Sequence, residues 1–349
     1  MRRAWRLAAS AALVVAAPAP LLIAAPAQAR AGVGTVPVPA AGQPVDTSHP
    51  NRVVGHGTVA SCTSAAVIAA VRAGGIIRFN CGPVPVIIRM NATAKVRNTS
   101  SRVVLDGRGL VTLTGQGRHR ILYMDTCDRA QVWTTSHCDD QATPELVIQN
   151  MSFTGGNSTG QHFEGGGGGA IFDRGGRLRI VNSVFTGNRC DHYGPDLGGA
   201  AVRALSQYRG LPVYVVGSRF TGNACSNGAA LSSIGVSWTV LNSTFVGNRA
   251  IGRGANPADR GTPGGGSGGA IYNDGDKMTL TIAGSVFTDN HANEGGGAIF
   301  FVSNDRTGTM SIRDSSLTNN PNDVFHTPGL AGIYFLGARR PTIIRTTLR

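Results

Sequence analysis

Charge is scarce in this chain. Of its 349 residues 15% are charged, and only Lys95 and Lys277 are lysines; every other basic residue is Arg. No five like charges cluster, so nucleic-acid binding would rest on the net charge of +13 alone and is not expected. There is no Cys-x-x-Cys pair, which argues against a thiolate metal site. The glycine runs 165–169 and 264–269 are not followed by Gly-Lys-Ser/Thr, so they are not phosphate loops. Beyond the N-terminus no apolar run approaches the roughly 20 residues that cross a bilayer as a helix, and no membrane insertion is expected.

What is abundant is glycine, 49 residues with no collagen period, as in a turn-rich β protein. The N-terminus reads as an export signal. Arg2, Arg3 and Arg6 precede an apolar run from Leu7 to Ala25, and Ala27-Gln28-Ala29 is a small-x-small cleavage site. The expected division is a signal peptide over 1–29, a flexible Ala/Pro/Val/Gly lead-in over 30–52, and one domain over 53–349. Losing 1–29 would remove three of the positive charges. An even number of cysteines in an exported chain implies disulfides.

Ser61 or Thr63, an Ala-rich interior and Gly74 delimit a short helix with Val67, Ile68 and Val71 on one face. Short strand-like runs follow, and from residue 146 a unit repeats. Its aromatic position is Phe153, Phe185, Phe220, Phe245 and Phe287, with Leu317 last. Three residues earlier stand Asn150, Asn182, Gly217, Asn242, Gly284 and Asp314. Three residues later stand Asn188, Asn223, Asn248, Asn290 and Asn320. A second block aligns as Gly169-Ala-Ile-Phe172, Gly199-Ala-Ala-Val202, Gly228-Ala-Ala-Leu231, Gly269-Ala-Ile-Tyr272 and Gly297-Ala-Ile-Phe300. No such unit can bury its apolar residues alone. Stacked units would form ladders of Phe, Ile and Asn at the strand spacing of about 4.8 Å. The spacings between aromatic positions vary from 25 to 42 residues, and the excess falls in loops such as 157–168 and 250–268. The expected fold is all-β: a single-stranded right-handed parallel β-helix, a solenoid with a short N-terminal capping helix.

The register predicts disulfides. Cys190 and Cys225 each lie two residues after a ladder Asn, one coil apart, so their Cα atoms should be about 5 Å apart. Cys62–Cys81 would tie the helix to the first strand, leaving Cys127–Cys138.

The Gly-Gly-Ala-Ile and Phe-x-x-Asn pairs resemble the repeats of the chlamydial polymorphic outer membrane protein family of surface adhesins. The chain from about 55 to 345, with its Cys62…Cys81 opening and Leu105-Asp-Gly-Arg-Gly-Leu110, resembles secreted proteins of the pectin-lyase-like β-helix class. That resemblance implies the fold; the class holds lyases, hydrolases, adhesins and scaffolds, so it leaves the activity open.

The block alignment places Asp173, Arg203, Ser232, Asn273 and Phe301 in one outward column, with Asp173 beside Arg203. That pair could bind a sugar acid or supply a base, or be a surface ion pair of little energetic weight. Asp191, His192 and Asp196 follow Cys190, Asp139 and Asp140 follow Cys138, and Glu164 and Glu294 precede glycine runs. Such loop acids suit acid/base work or Ca²⁺ ligation, although no calcium-loop spacing is present; Asp274-Gly-Asp276-Lys277 reads as a turn. Tyr193, Tyr208, Tyr272 and His162 could stack on sugars. The candidate catalytic residues are therefore Asp173, Arg203, Asp191, His192 and Glu164, with no cofactor and no resident metal expected. The favoured function is a secreted, extracellular or wall-associated monomer that binds glycan or cell-wall polymer through loops on one side of the solenoid. The alternative is a polysaccharide lyase or glycoside hydrolase acting on an acidic polysaccharide in a groove. Convergence of the candidates in one cleft would favour the enzyme.

Overall fold

The structure is a computed structural model that describes residues 33–162 and 166–349; the expected signal peptide and Glu164 lie outside the described residues. The chain folds as a right-handed parallel β-helix. A 17-stranded sheet forms one wall, an 8-stranded sheet the second, and a short 3-stranded sheet the third. Every pairing within these sheets is parallel and joins one coil to the next.

The helix Ser64–Ala73 seals the N-terminal end. Thr63 caps it by accepting a bond from Ala66 N, Gly74 ends it at φ 71°, and Val67 and Val71 are buried beneath it.

In the first sheet each later coil contributes two strands meeting at a corner, as in Arg177–Val181 and Val184–Thr186. The corner residue is left-handed throughout: Asn150, Asn182, Gly217, Asn242, Gly284 and Asp314 have φ between 47° and 58°. That region is costly for most residues and cheapest for Gly, Asn and Asp, which accounts for the residue types at this position. Immediately after the corner the aromatic side chains point inward. Phe153, Phe185, Phe220, Phe245 and Phe287 stack face to face with centroids 5.1, 4.9, 4.8 and 4.4 Å apart. Beyond them the Asn ladder runs along the axis. Each Nδ2 donates to the Oδ1 one coil further on, at 2.9 Å from Asn188 and 2.8 Å from Asn223, Asn248 and Asn290. Each backbone N–H donates to the same oxygen. Turn backbone that would otherwise be buried without partners is satisfied this way.

All three disulfides pair as expected: Cys62–Cys81, Cys127–Cys138 and Cys190–Cys225, the last with Cα atoms 4.8 Å apart.

Two expectations are corrected. The second-block alignment slips by one residue in two coils. Val202 pairs with Ile171, and Arg203 pairs with Phe172. The register is set by the left-handed glycine that opens each block: Gly168, Gly199, Gly228, Gly268 and Gly296, at φ 44° to 71°. In the Gly199 and Gly228 coils the next position is Ala instead of Gly, so anchoring on the Gly-Ala pair shifts those coils. A one-residue slip exchanges the faces. Asp173, Ala204, Ser233, Asn273 and Phe301 all point into the core and are fully buried. Phe172, Arg203, Ser232, Tyr272 and Phe300 form the outward column.

The segment expected as a flexible lead-in is instead laid along the outside of the coils. Val36 N donates to Asn242 Oδ1 while Asn242 Nδ2 donates to Val36 O. Val45 exchanges the same two bonds with Gln149, and Thr47 donates to Asp106 at 2.5 Å. Between these ties Val36 and Val38 cover an outer apolar stripe of Val181, Val216, Leu241 and Ala283. A stripe of that kind exposed to water would otherwise reduce the stability of the sheet.

Candidate functional site

The second sheet's outward face is where the long insertions fold back. The insertion 251–267 folds back on itself as a hairpin, Arg253 and Ala255 bridging Gly264 and Gly265, and the loop after Cys190 joins it where Gly194 N donates to Gly264 O. Together they carry Asp196 and Asn256 over the sheet. Asn256 Nδ2 bonds Asp196 Oδ1 at 3.1 Å, Asp274 Oδ2 at 2.7 Å, and the Tyr272 hydroxyl. One amide nitrogen thus bridges two carboxylates from different loops and strands.

A groove of about 500 Å³ opens beside this cluster. Leu205 and Ile234, one coil apart on the outward face, form an aliphatic floor. Asp196, Asp274, Arg203, Arg174, Asp139 and Asn304 supply the polar walls. Arg174 Nε donates to Asp139 at 2.9 Å, and the Cys127–Cys138 bridge closes the loop that presents Asp139. Asp274 is the last outward residue before the turn of the strand Ile271–Gly275. It accepts bonds from Tyr272 Oη at 3.0 Å, from Gly275 N and from Asn304 Nδ2. Burial nonetheless outweighs these bonds and raises its carboxyl above the usual 3.8. Burial also pushes the Tyr272 phenol well up, with the adjacent Asp274 charge adding to the effect.

Arg203 lies within the outward column between Phe172 and Ser232. The residue is 3% exposed. Nη1 donates to Ser232 Oγ at 2.9 Å, whereas Nε has no partner. Burial lowers its pKa to about 10. The backbone of Gly167 passes so close that a Cβ there would lie 2.6 Å from Arg203 Cδ.

The four described residues among the five proposed from sequence do not meet in this groove. Asp173 faces the core, where Gln207 Nε2 donates to its Oδ2 at 2.6 Å. Asp191 is buried under the 157–162 loop, accepting from Gly160 N at 2.9 Å and lying 3.3 Å from His162 Nε2. His192 is exposed and makes an edge contact with Tyr193. Glu164 is outside the described residues. Only Arg203 lines the groove. Tyr193 is exposed, and Tyr208 carries the Arg209 guanidinium over its ring. Tyr272 stacks on Phe300 with centroids 4.9 Å apart, as its place in the repeat suggested, while its hydroxyl donates to Asp274 at the groove's wall.

Sequence reasoning missed Asp274 and Asn256. Asp274 sits in the outward column with Arg174, Leu205 and Ile234, and with the correct register that column would have shown it. Nothing local marks Asn256, which reaches its partners only through the fold of its insertion.

A larger cavity, about 640 Å³, lies between residues 33–37 and the last coils. Its charges are already matched: Asp314 accepts from Arg313 and from Arg345 through two nitrogens. It therefore lacks the unmatched charge found in the groove.

The repeat itself has a known counterpart. Residues 242–274 and 284–302 match the Chlamydia polymorphic membrane protein repeat. The match takes in corner Asn242, Phe245, Asn248 and the block from Gly268 to Asp274, and then the next coil as far as Val302. Asn256, Tyr272 and Asp274 fall within it; Asp196 and Arg203 do not. No curated protein and no solved structure matches the chain. The three disulfides indicate an oxidising compartment for the folded chain.

Proposed function

We propose that the chain is an exported β-helix protein that binds a glycan or cell-surface polymer in the groove of its second sheet. The export-type N-terminus and the likeness to a surface-protein repeat support the location. The observation that carries the binding reading is the groove itself. An aliphatic floor of Leu205 and Ile234 beneath acid, amide and guanidinium groups suits the mixed apolar and hydroxyl-bearing faces of a sugar. Extended repeats in a ligand would run along the stacked coils.

A second reading is a glycoside hydrolase. It rests on one observation: Asp274, with a raised carboxyl, faces Asp196 across the Asn256 amide. Two carboxyl groups in different environments are what acid/base hydrolysis of a glycosidic bond requires.

The test is a panel of neutral and acidic oligosaccharides, read by binding and by release of reducing ends. Saturable binding that is lost on Ile234→Glu, without turnover, is the expected result. Turnover abolished by Asp274→Asn would establish the hydrolase instead. A panel without any binding would overturn both readings.

A further inference from the structure

Among the described residues, Arg203 is a buried cation with no carboxylate in ion-pair contact, the charge of Asp196 acting on it only through space. The residue as a whole is only 3% exposed. Its Nε has no hydrogen-bond partner. The fold satisfies a comparable residue differently. Arg120 is also fully buried on the same side of the solenoid, but its Nε and Nη2 donate to the carbonyls of Gly168 and Gly167 at 3.2 and 2.9 Å, and it lies over the Phe172 ring. Removing one partner of a buried charge is among the more expensive things a fold can tolerate. A chain that retains an unmatched guanidinium at the wall of an open groove is organised for a ligand that brings the charge.

The geometry narrows that ligand. Nη1 is taken by Ser232 and Nε is closed off from the surface, which leaves Nη2 as the nitrogen to meet a ligand in the groove that Arg203 lines. A carboxylate oxygen can accept a charge-assisted N–H···O bond there. Around it Asp196 and Asp274 are acceptors, and the Asn256 amide and Tyr272 hydroxyl are already bonded to them. Those groups favour hydroxyls and disfavour a ligand densely charged with anions.

We propose that Arg203 is the anchor for a single carboxylate on a saccharide ligand, with the Asp196–Asn256–Asp274 cluster receiving the adjacent hydroxyls. This rests on the glycan reading above and adds to it the chemical class of the sugar.

Glucuronate, glucose and inorganic phosphate form a suitable probe set. Each is titrated against the full chain by calorimetry, with thermal unfolding measured in parallel. Glucuronate should bind on the order of 10- to 100-fold more tightly than glucose, the range of a charge-assisted pair. Arg203→Met should abolish that difference, and Arg203→Lys should restore part of it. Without ligand, Arg203→Met should unfold at the same temperature as the parent or higher, because it removes an uncompensated buried charge. That readout separates a binding role from a structural one. Equal binding of glucuronate and glucose would overturn the proposal while leaving the glycan reading intact. Phosphate binding tighter than glucuronate would overturn the carboxylate assignment, as would an Arg203→Met variant that melts well below the parent and still binds glucuronate.

Discussion

Replacing Asn248 by Ala should cost about 3–5 kcal/mol, although its side chain touches neither the groove nor solvent. The figure comes from three of its four hydrogen bonds, and the fourth, to Phe220 O, can only add to it. Its Oδ1 accepts from the backbone N and from Nδ2 of Asn223, and its Nδ2 donates to Asn290 Oδ1 and Phe220 O. After truncation Asn223 Nδ2 keeps Phe185 O, and Asn290 Oδ1 keeps the backbone N–H of residue 248. Those two groups each lose one bond, worth about 1 kcal/mol. The N–H of Asn223 loses its acceptor outright inside the fold, which costs about 1–3 kcal/mol. With a urea slope of about 3 kcal/mol/M, the midpoint should fall by about 1–1.7 M. Asn248→Asp should keep the acceptor half of the ladder and lose the donor half, so it should be less damaging at acidic pH than at neutral pH. A midpoint unchanged by Asn248→Ala would refute the view that the amide ladder carries the corner backbone.

Other consequences follow from the same geometry. Burial raises the Asp173 carboxyl well above its ordinary 3.8, so the folded chain holds a proton there that the unfolded chain releases. Stability from this site is therefore lost as pH rises from about 3.8 toward the folded value; Asp173→Asn should flatten that decline in a pH series of melting curves and stabilise the protein at pH 7. Replacing Cys190 and Cys225 together by Ser should cost about 3–4 kcal/mol from the 35-residue separation they span, measured by urea unfolding under non-reducing conditions. Gly42→Val should lift the outer segment, since a Cβ there already meets Val38 at 3.0 Å and Tyr214 at 3.1 Å; the expected result is faster proteolytic cleavage within 33–47 and a loss of about 1–3 kcal/mol.

The inward ladders were legible because they repeat. Phe, Asn and the left-handed corner recur at every coil, and stacking identical side chains leaves one sensible register for the first sheet. That register also placed Cys190 against Cys225. The second sheet was harder because its marker is backbone conformation. Gly199 and Gly228 are left-handed like Gly168, but the residue after each is Ala, and a residue-type alignment cannot see φ. The slip moved Arg203 next to Asp173, when one faces the groove and the other the core. Asn256 and Asp196 lie in insertions with no periodicity at all, and their meeting depends on how two loops pack together. The outer segment was illegible for another reason. Its Ala, Pro and Val composition is that of a linker, and its partners are far along the chain: Val36 and Asn242 are separated by 206 positions.

That outer segment alters how the whole molecule can come apart. A stack in which each coil touches only its neighbours would fray from its open end one turn at a time. Here the span from Val36 on Asn242 to Thr47 on Asp106 acts as a tether lashed down the side of the stack. Peeling that proceeds from the C-terminal coils reaches Asn242 and can go no further without casting off a line that also holds Gln149 and Asp106. The tethered coils should accordingly yield together in a single step, leaving gradual unravelling to those beyond Asn242.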